Sequence, residues 1–186
     1  MRLYTGLIHY PVYNKNSQKI TSAITNVDLH DLSRLSRTYG VDRFFVVTPM
    51  EEQQRFAQRI MQHWVVGFGA TYNSFRKEAI ELISIKSSVD DSLEEIRRLE
   101  GCDPLIISTS AAQCEDKGLS YEAARDIIDS DKPVFLMFGT AWGLHDEVLE
   151  LSDYILEPVK GCTDYNHLSV RAAAGIILDR LTGSCR

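Results

Sequence analysis

Apolar and polar positions along the chain alternate between two rhythms. Short runs that are apolar nearly throughout are separated by longer stretches with apolar residues at helical spacing. The runs at 3–12, 43–48 (RFFVVT), 104–108 (PLIIS), 133–138 (PVFLMF) and 154–156 have strand length, and 79–85 ends in strand-like alternation. A strand apolar on both faces, such as 133–138, belongs in a parallel sheet covered on both sides. Residues 28–39 read as a helix because Leu29, Leu32 and Leu35 lie near one face, with Asp28 as N-cap and Gly40 just past the end. Further helices are predicted over 50–64, 91–100, 121–130 (capped by Ser120) and 168–181, with Gly183 beyond the last. Residues 14–17 read as a polar turn, and Gly67-Phe68-Gly69 as a break. The pattern predicts an α/β fold, with an open, mostly parallel sheet of five or six strands flanked by helices in one domain over 1–186.

Composition narrows this only slightly. The 186 residues are 44% apolar and 25% charged, ordinary for a globular chain. No run approaches the ~20 apolar residues of a membrane span, and the first residues lack the pattern of a signal peptide. Cys102, Cys114, Cys162 and Cys185 form no CxxC pair and read as reduced thiols. Together these predict a cytoplasmic protein with no membrane partner. His9, His63, His145 and His167 have no metal-ligand spacing, so no metal is expected. The net charge of −6 argues against a freestanding nucleic-acid binder, but the charge is uneven. Residues 1–60 hold eight Lys/Arg against five Asp/Glu, while 101–186 hold seven against fourteen. If RNA binds, the N-terminal third is the favoured face.

Ligands bind open α/β sheets at the carboxyl ends of the strands. Three loops qualify. The first, Ser108-Thr109-Ser110-Ala111, is small enough for close approach to its backbone. The second, Phe138-Gly139-Thr140-Ala141-Trp142-Gly143-Leu144, has two glycines that permit unusual backbone angles. It is neither GxGxxG nor a nucleotide P-loop, and Trp142 can stack on a ligand or plug the core, core packing being the expectation for a lone Trp. The third runs from Glu157 and Pro158 to Arg171 and enters an alanine-rich helix that Asn166 or Ser169 can cap.

A glycine loop after a strand, a strand ending in proline, then a polar loop with Asn and Leu-Ser-Val before an alanine-rich helix resembles the SpoU-type methyltransferases of the SPOUT superfamily. The whole-chain pattern resembles most closely a small SPOUT family of RNA methyltransferases, some fused to a TrmD-type tRNA guanine methyltransferase. The resemblance implies a C-terminal deep trefoil knot and S-adenosylmethionine held by backbone contacts from the three loops. Carried over, the cofactor residues are Thr109, Ser110 and Ala111; Phe138, Gly139, Thr140, Gly143 and Leu144; Ile155, Leu156 and Pro158; and Asn166, His167, Leu168 and Ser169.

SpoU-type enzymes also carry Asn, Arg six residues later, then Phe-Gly-Val. This chain has Asp28, Arg34 and Tyr39-Gly40-Val41 in that spacing. Asp replaces Asn at 28, and the glycine loop is one residue short, with Ala141 where the family usually has Glu. The resemblance casts Arg34 as the residue facing the reacting oxygen, with Asp28 or His30 taking the proton; Arg37, one turn on, reads as solvated. It further implies a homodimer whose site is completed across the interface, and a tRNA or rRNA substrate. Three readings stand: methyl transfer to a ribose 2′-oxygen, transfer to a base nitrogen such as guanine N1, or a catalytically idle cofactor-binding module that binds RNA or dimerises.

Overall fold

The computed structural model describes residues 1–183; Cys185 lies outside them. Seven strands form a single sheet: β1 (Leu3–Ile8), β4 (Arg43–Val47), β5 (Ile83–Lys86), β6 (Leu105–Thr109), β7 (Gly118–Leu119), β8 (Val134–Gly139) and β9 (Tyr154–Leu156). Their order is β5-β4-β1-β8-β6-β9-β7, and every pairing is parallel. A separate antiparallel pair joins β2 (Val12–Tyr13) to β3 (Lys19–Ile20).

Side-chain alternation sorts the core into two layers. Leu3 and Leu7, Phe44 and Val46, and Leu136 and Phe138 enter one cluster. Tyr4 and Ile8, Phe45 and Val47, and Phe135 and Met137 enter the other. The first layer is closed by α1 (Asn26–Thr38), α2 (Glu51–Val65), α6 (Tyr121–Asp129) and α8 (Val170–Thr182). The second is closed by α5 (Val89–Glu100) and α7 (Asp146–Leu151). Each fully buried Phe, Leu or Ile contributes about 1.5–3 kcal/mol, which is why runs such as PVFLMF tolerate no polar residue.

The predicted helices form with shifted ends. Helix α1 starts two residues before Asp28, because Thr25 is the N-cap: its hydroxyl accepts from the Asp28 amide at 3.2 Å. Asp28 is therefore the third helical residue, not the cap. The predicted strand 3–12 is interrupted at residues 9–11 by a Tyr10-Pro11 segment that turns the chain out of the sheet. The expected break falls at Val66 and Gly67, between the end of α2 and the start of α3 (Phe68–Tyr72), which is followed by α4 (Ser74–Ile80). Gly67 is the N-cap of α3, and Gly69 packs so closely on Trp64 that a Cβ would sit 2.6 Å from the ring. Helix α5 carries a full capping box, Ser88 with Asp91. Neither α7 nor the two-residue β7 was anticipated, since six and two residues leave too little pattern to read.

Gly40 ends α1 with φ +69°, and the Val41 amide closes onto the Ser36 carbonyl at 2.9 Å. An L side chain in this left-handed conformation costs about 1–2 kcal/mol. Gly40→Ala is accordingly expected to lower stability by about 1 kcal/mol. A urea midpoint equal to that of the parent protein would contradict this account of the turn.

Candidate active site

Strands β8, β6 and β9 are neighbours and parallel, so their carboxyl ends open side by side. Thr109 is paired with Leu156, and Ser108 with Met137, which sets the three candidate loops at one level. Side chains then tie loop to loop. The Thr109 hydroxyl donates to the Met137 carbonyl at 3.0 Å. The Asn166 amide donates to the Ala111 carbonyl at 2.9 Å, and the Lys160 ammonium to Gln113 at 2.9 Å. Asn166 thus bridges loops rather than capping α8; the cap is Ser169, whose hydroxyl accepts from the Ala172 amide at 3.3 Å. An open cleft of about 370 Å³ adjoins this cluster along Gln113, Ile155 and Glu157.

The glycine loop is shaped by its own backbone. A Cβ on Gly139 would lie 2.8 Å from the Leu144 amide nitrogen, so no other residue fits without opening the turn. Gly143 has φ +106° and open space around it, and Ala141 also sits at positive φ, +52°. Residues 11–13 strap this loop from outside. Tyr13 donates to the Gly143 carbonyl and accepts from the Trp142 amide, and His145 donates to the Pro11 carbonyl. The Ala141 and Leu144 amides are left without a hydrogen-bond partner among the described residues. Trp142 is 69% exposed, contrary to the core packing expected of it, because the left-handed Ala141 turns the chain outward just before it. Tyr165 and Leu168 of the third loop are exposed as well, as is His167, whose ring meets Tyr165 edge-on. Ile155, Leu156 and Pro158 are buried.

Sequence reasoning missed the support beneath the glycine loop. His9, just past β1, is fully buried. Its Nδ1 lies 2.8 Å from the Ser22 hydroxyl, which lies 2.5 Å from the Thr140 hydroxyl. Thr140 in turn donates to the Ile8 carbonyl at 2.9 Å. His9 Nε2 has no hydrogen-bond partner among the described residues, and burial pushes the imidazole pKa down to about 4 against a weaker opposing pull from Asp28. The only sequence signal was a histidine ending an apolar strand, which carries no pattern of its own.

The three α1 candidates do not converge. Asp28 is buried and turned toward α8, accepting from Arg171 at 2.7 Å and from the Thr25 hydroxyl at 2.6 Å. Arg171 also reaches Asp31, at 3.4 Å. His30 faces the other way, edge-on to Trp64 at 5.4 Å. Burial and then the neighbouring Arg76 hold its pKa below the usual histidine value. Arg34 shares the His30 face one turn on; it is exposed and makes no side-chain hydrogen bond or ion pair among the described residues. Arg37, expected to be solvated, pairs with Glu78 at 3.3 Å. Among the described residues no three His, Cys, Asp or Glu side chains are grouped as metal ligands, and no helix is long and apolar enough to cross a membrane.

Residues 2–183 match the model of a family described as SAM-dependent RNA methyltransferase. The chain belongs to that family. The cofactor of that family is S-adenosylmethionine, the one that the resemblance implied. The chain is 41% identical, over 181 residues, to a tRNA (guanine-N(1)-)-methyltransferase of Oleidesulfovibrio alaskensis, covering 97% of this chain. It spans only 42% of that relative's length. Among solved structures, a putative methylase family protein from Neisseria gonorrhoeae superposes with a TM-score of 0.65 at 13% identity, covering 99% of this chain and 83% of the other. A TrmH/SpoU tRNA modifying enzyme from Aquifex aeolicus superposes at 0.55 and 18%, covering 97% and 74%. At these identities the structural matches speak for the fold.

The His9 pKa carries a sign. Because the folded value lies below the unfolded one, its stabilisation is complete above about pH 6.5 and is lost as pH falls toward 4. The loss is expected to be on the order of 3 kcal/mol. His9→Asn keeps a partner for Ser22 but cannot titrate, so its stability should differ less between pH 7.5 and pH 4.5. Equal pH dependence of the two urea midpoints would show that His9 is not the group responsible.

Proposed function

We propose that this chain transfers a methyl group from S-adenosylmethionine to a ribose 2′-hydroxyl of tRNA or rRNA. The observation that carries the reading is the convergence of loops 109–111, 138–144 and 155–169 at the ends of three adjacent parallel strands. The cofactor supplies an electrophilic methyl on a cationic sulfur, so the protein has to position rather than activate it. The free Ala141 and Leu144 amides, the open space at Gly143 and the small Ser110 and Ala111 suit a ligand recognised through backbone groups. The cofactor residues we assign are Thr109, Ser110, Ala111, Phe138, Gly139, Thr140, Gly143, Leu144, Ile155, Leu156, Pro158, Asn166, His167, Leu168 and Ser169.

Arg34 is the residue we assign to the acceptor side. An arginine is a poor base but stabilises a developing alkoxide and holds a phosphate. Asp28 is committed to Arg171 and Thr25, and this supports a role in joining α1 to the third loop. His30, neutral at physiological pH by the direction of its shift, is the remaining proton acceptor on the Arg34 face. Helices α1 and α8 run side by side, with contacts 28 to 171, 35 to 175 and 39 to 179. Arg34 therefore lies about 9 Å along the helix from the level of the cradle. This supports a homodimer in which Arg34 of one copy completes the site of the other. The return of α8 across β6 to pack on β8 and α1 supports the trefoil knot, within a single cytoplasmic domain.

Guanine N1 transfer is the second reading, favoured by the name of the Oleidesulfovibrio alaskensis relative, of whose length this chain spans 42%. Tritiated methyl transfer onto total RNA from cells lacking the gene, followed by nuclease digestion and mass spectrometry, decides between them. A labelled 2′-O-methylnucleoside is expected. Label in 1-methylguanosine would establish the second reading, and no label would leave the idle binding module. Arg34→Ala should lower turnover at least a hundredfold while cofactor affinity stays within a factor of about two. Unchanged turnover would remove Arg34 from the reaction.

A further inference from the structure

Helices α3 and α4 and the end of α2 expose a dense group of apolar side chains. Val66, Phe68, Tyr72 and Phe75 are 79%, 74%, 75% and 82% exposed. Single exposed apolar residues are ordinary, but a cluster marks an interaction surface. Phe68 and Tyr72 form a stacked pair, ring centroids 6.0 Å apart and planes 24° from parallel. Beneath them the tight seat of Gly69 on Trp64 fixes α3, and the Arg76 guanidinium lies 4.6 Å from the Trp64 ring.

The charge around this patch is one-sided. No Asp or Glu occurs between Glu52 and Glu78, whereas Arg55, Arg59, Arg76 and Lys77 all fall there, in a chain of net charge −6. Arg59 is exposed and makes no hydrogen bond or ion pair among the described residues. Arg55 is paired with Glu51 and Lys77 with Glu81, which leaves Arg59, among the described residues, as the free cation of the segment, and a second copy packed patch to patch would bring no carboxylate from within 53–77 to meet it. A polyanion that also presents flat apolar faces satisfies both halves of the surface, and single-stranded nucleic acid is that ligand: bases stack on exposed aromatics while cations track the backbone.

We propose that this face binds unpaired nucleotides of the RNA substrate, with bases stacked on Phe68, Tyr72 and Phe75 and phosphate held by Arg59. The proposal rests on the RNA methyltransferase reading and adds to it where the substrate lies. The surface continues from Trp64 onto the His30 face of α1, where Arg34 sits one turn on, so a strand docked here runs toward the residue assigned to the acceptor.

The test is fluorescence anisotropy of the full chain with a fluorescein-labelled 12-nucleotide oligouridine and with an unmodified tRNA transcript. The triple variant Phe68→Ala, Tyr72→Ala, Phe75→Ala is expected to weaken oligouridine binding at least tenfold and to leave S-adenosylmethionine affinity, measured by calorimetry, unchanged. Arg59→Gln is expected to reduce the slope of log affinity against log salt by about 0.7. Wild-type affinity in the triple variant overturns the proposal, as does a wild-type chain that binds neither RNA. Loss of RNA binding together with dissociation of the oligomer in sedimentation also overturns it, since the patch would then join two copies. A chain that binds RNA through this patch yet transfers no methyl group refutes the methyltransferase reading and leaves the RNA face standing.

Discussion

The constraint on which the structure depends is that all seven strands of the main sheet are parallel. Parallel strands need a crossover between each pair, and the crossovers must cover both faces. This forces the strands to be apolar on both sides, places α1, α2, α6 and α8 on one face and α5 and α7 on the other, and sends every strand's carboxyl end to one edge. A ligand site at that edge follows from topology before any side chain is considered. The order β8-β6-β9 then decides which three loops share it, although they are far apart in sequence.

Within that edge, some of the loops' polar groups are committed to structure and others stay open. The glycine loop gives up several backbone bonds to residues 11–13, and Thr140 is committed to Ile8 and Ser22. What stays open is a short list of amides on a backbone whose positive φ values at Ala141 and Gly143 point it outward. The buried His9 beneath supplies stiffness: a neutral imidazole wedged between β1 and the loop fixes the Ser22 hydroxyl, and Ser22 fixes Thr140. Ala141, where SpoU-type enzymes usually have Glu, is compatible with this, because the shape of the loop is set by its backbone.

The strands and long helices were legible because burial on both faces and helical periodicity leave strong marks over six residues or more. The runs at 43–48 and 133–138 and the helix at 50–64 needed no further information. The short elements were not: β7 and α7 are held by hydrogen bonds to neighbours far away in sequence, and α3 is only five residues long. Asp28 illustrates the same limit. Its position before an apolar repeat reads as a cap, yet the third helical residue equally favours a carboxylate, and only the structure shows Thr25 in the capping place. Trp142 was misjudged because composition speaks for burial, while the left-handed residue before it decides the direction. The three loops are legible as segments after strands, while their ties, Asn166 to Ala111 and Thr109 to Met137, are not. The inward-facing His9 pair with Ser22 had no motif to announce it.

Net charge was the least informative quantity, for a reason of scale. At physiological salt the Debye length is about 8 Å, so charges on the acidic C-terminal half are screened from a surface on the opposite flank. What an RNA strand meets is the local balance, and that balance is positive only where carboxylates are missing, as they are between Glu52 and Glu78. Several cations near this gap are already paired, Arg55 with Glu51, Lys77 with Glu81 and Arg37 with Glu78. The unpaired Arg34 and Arg59 therefore carry more weight than a count of basic residues implies. An acidic chain can in this way hold a polyanion on one face, provided stacking on aromatic side chains contributes the part of the affinity that so few free charges cannot.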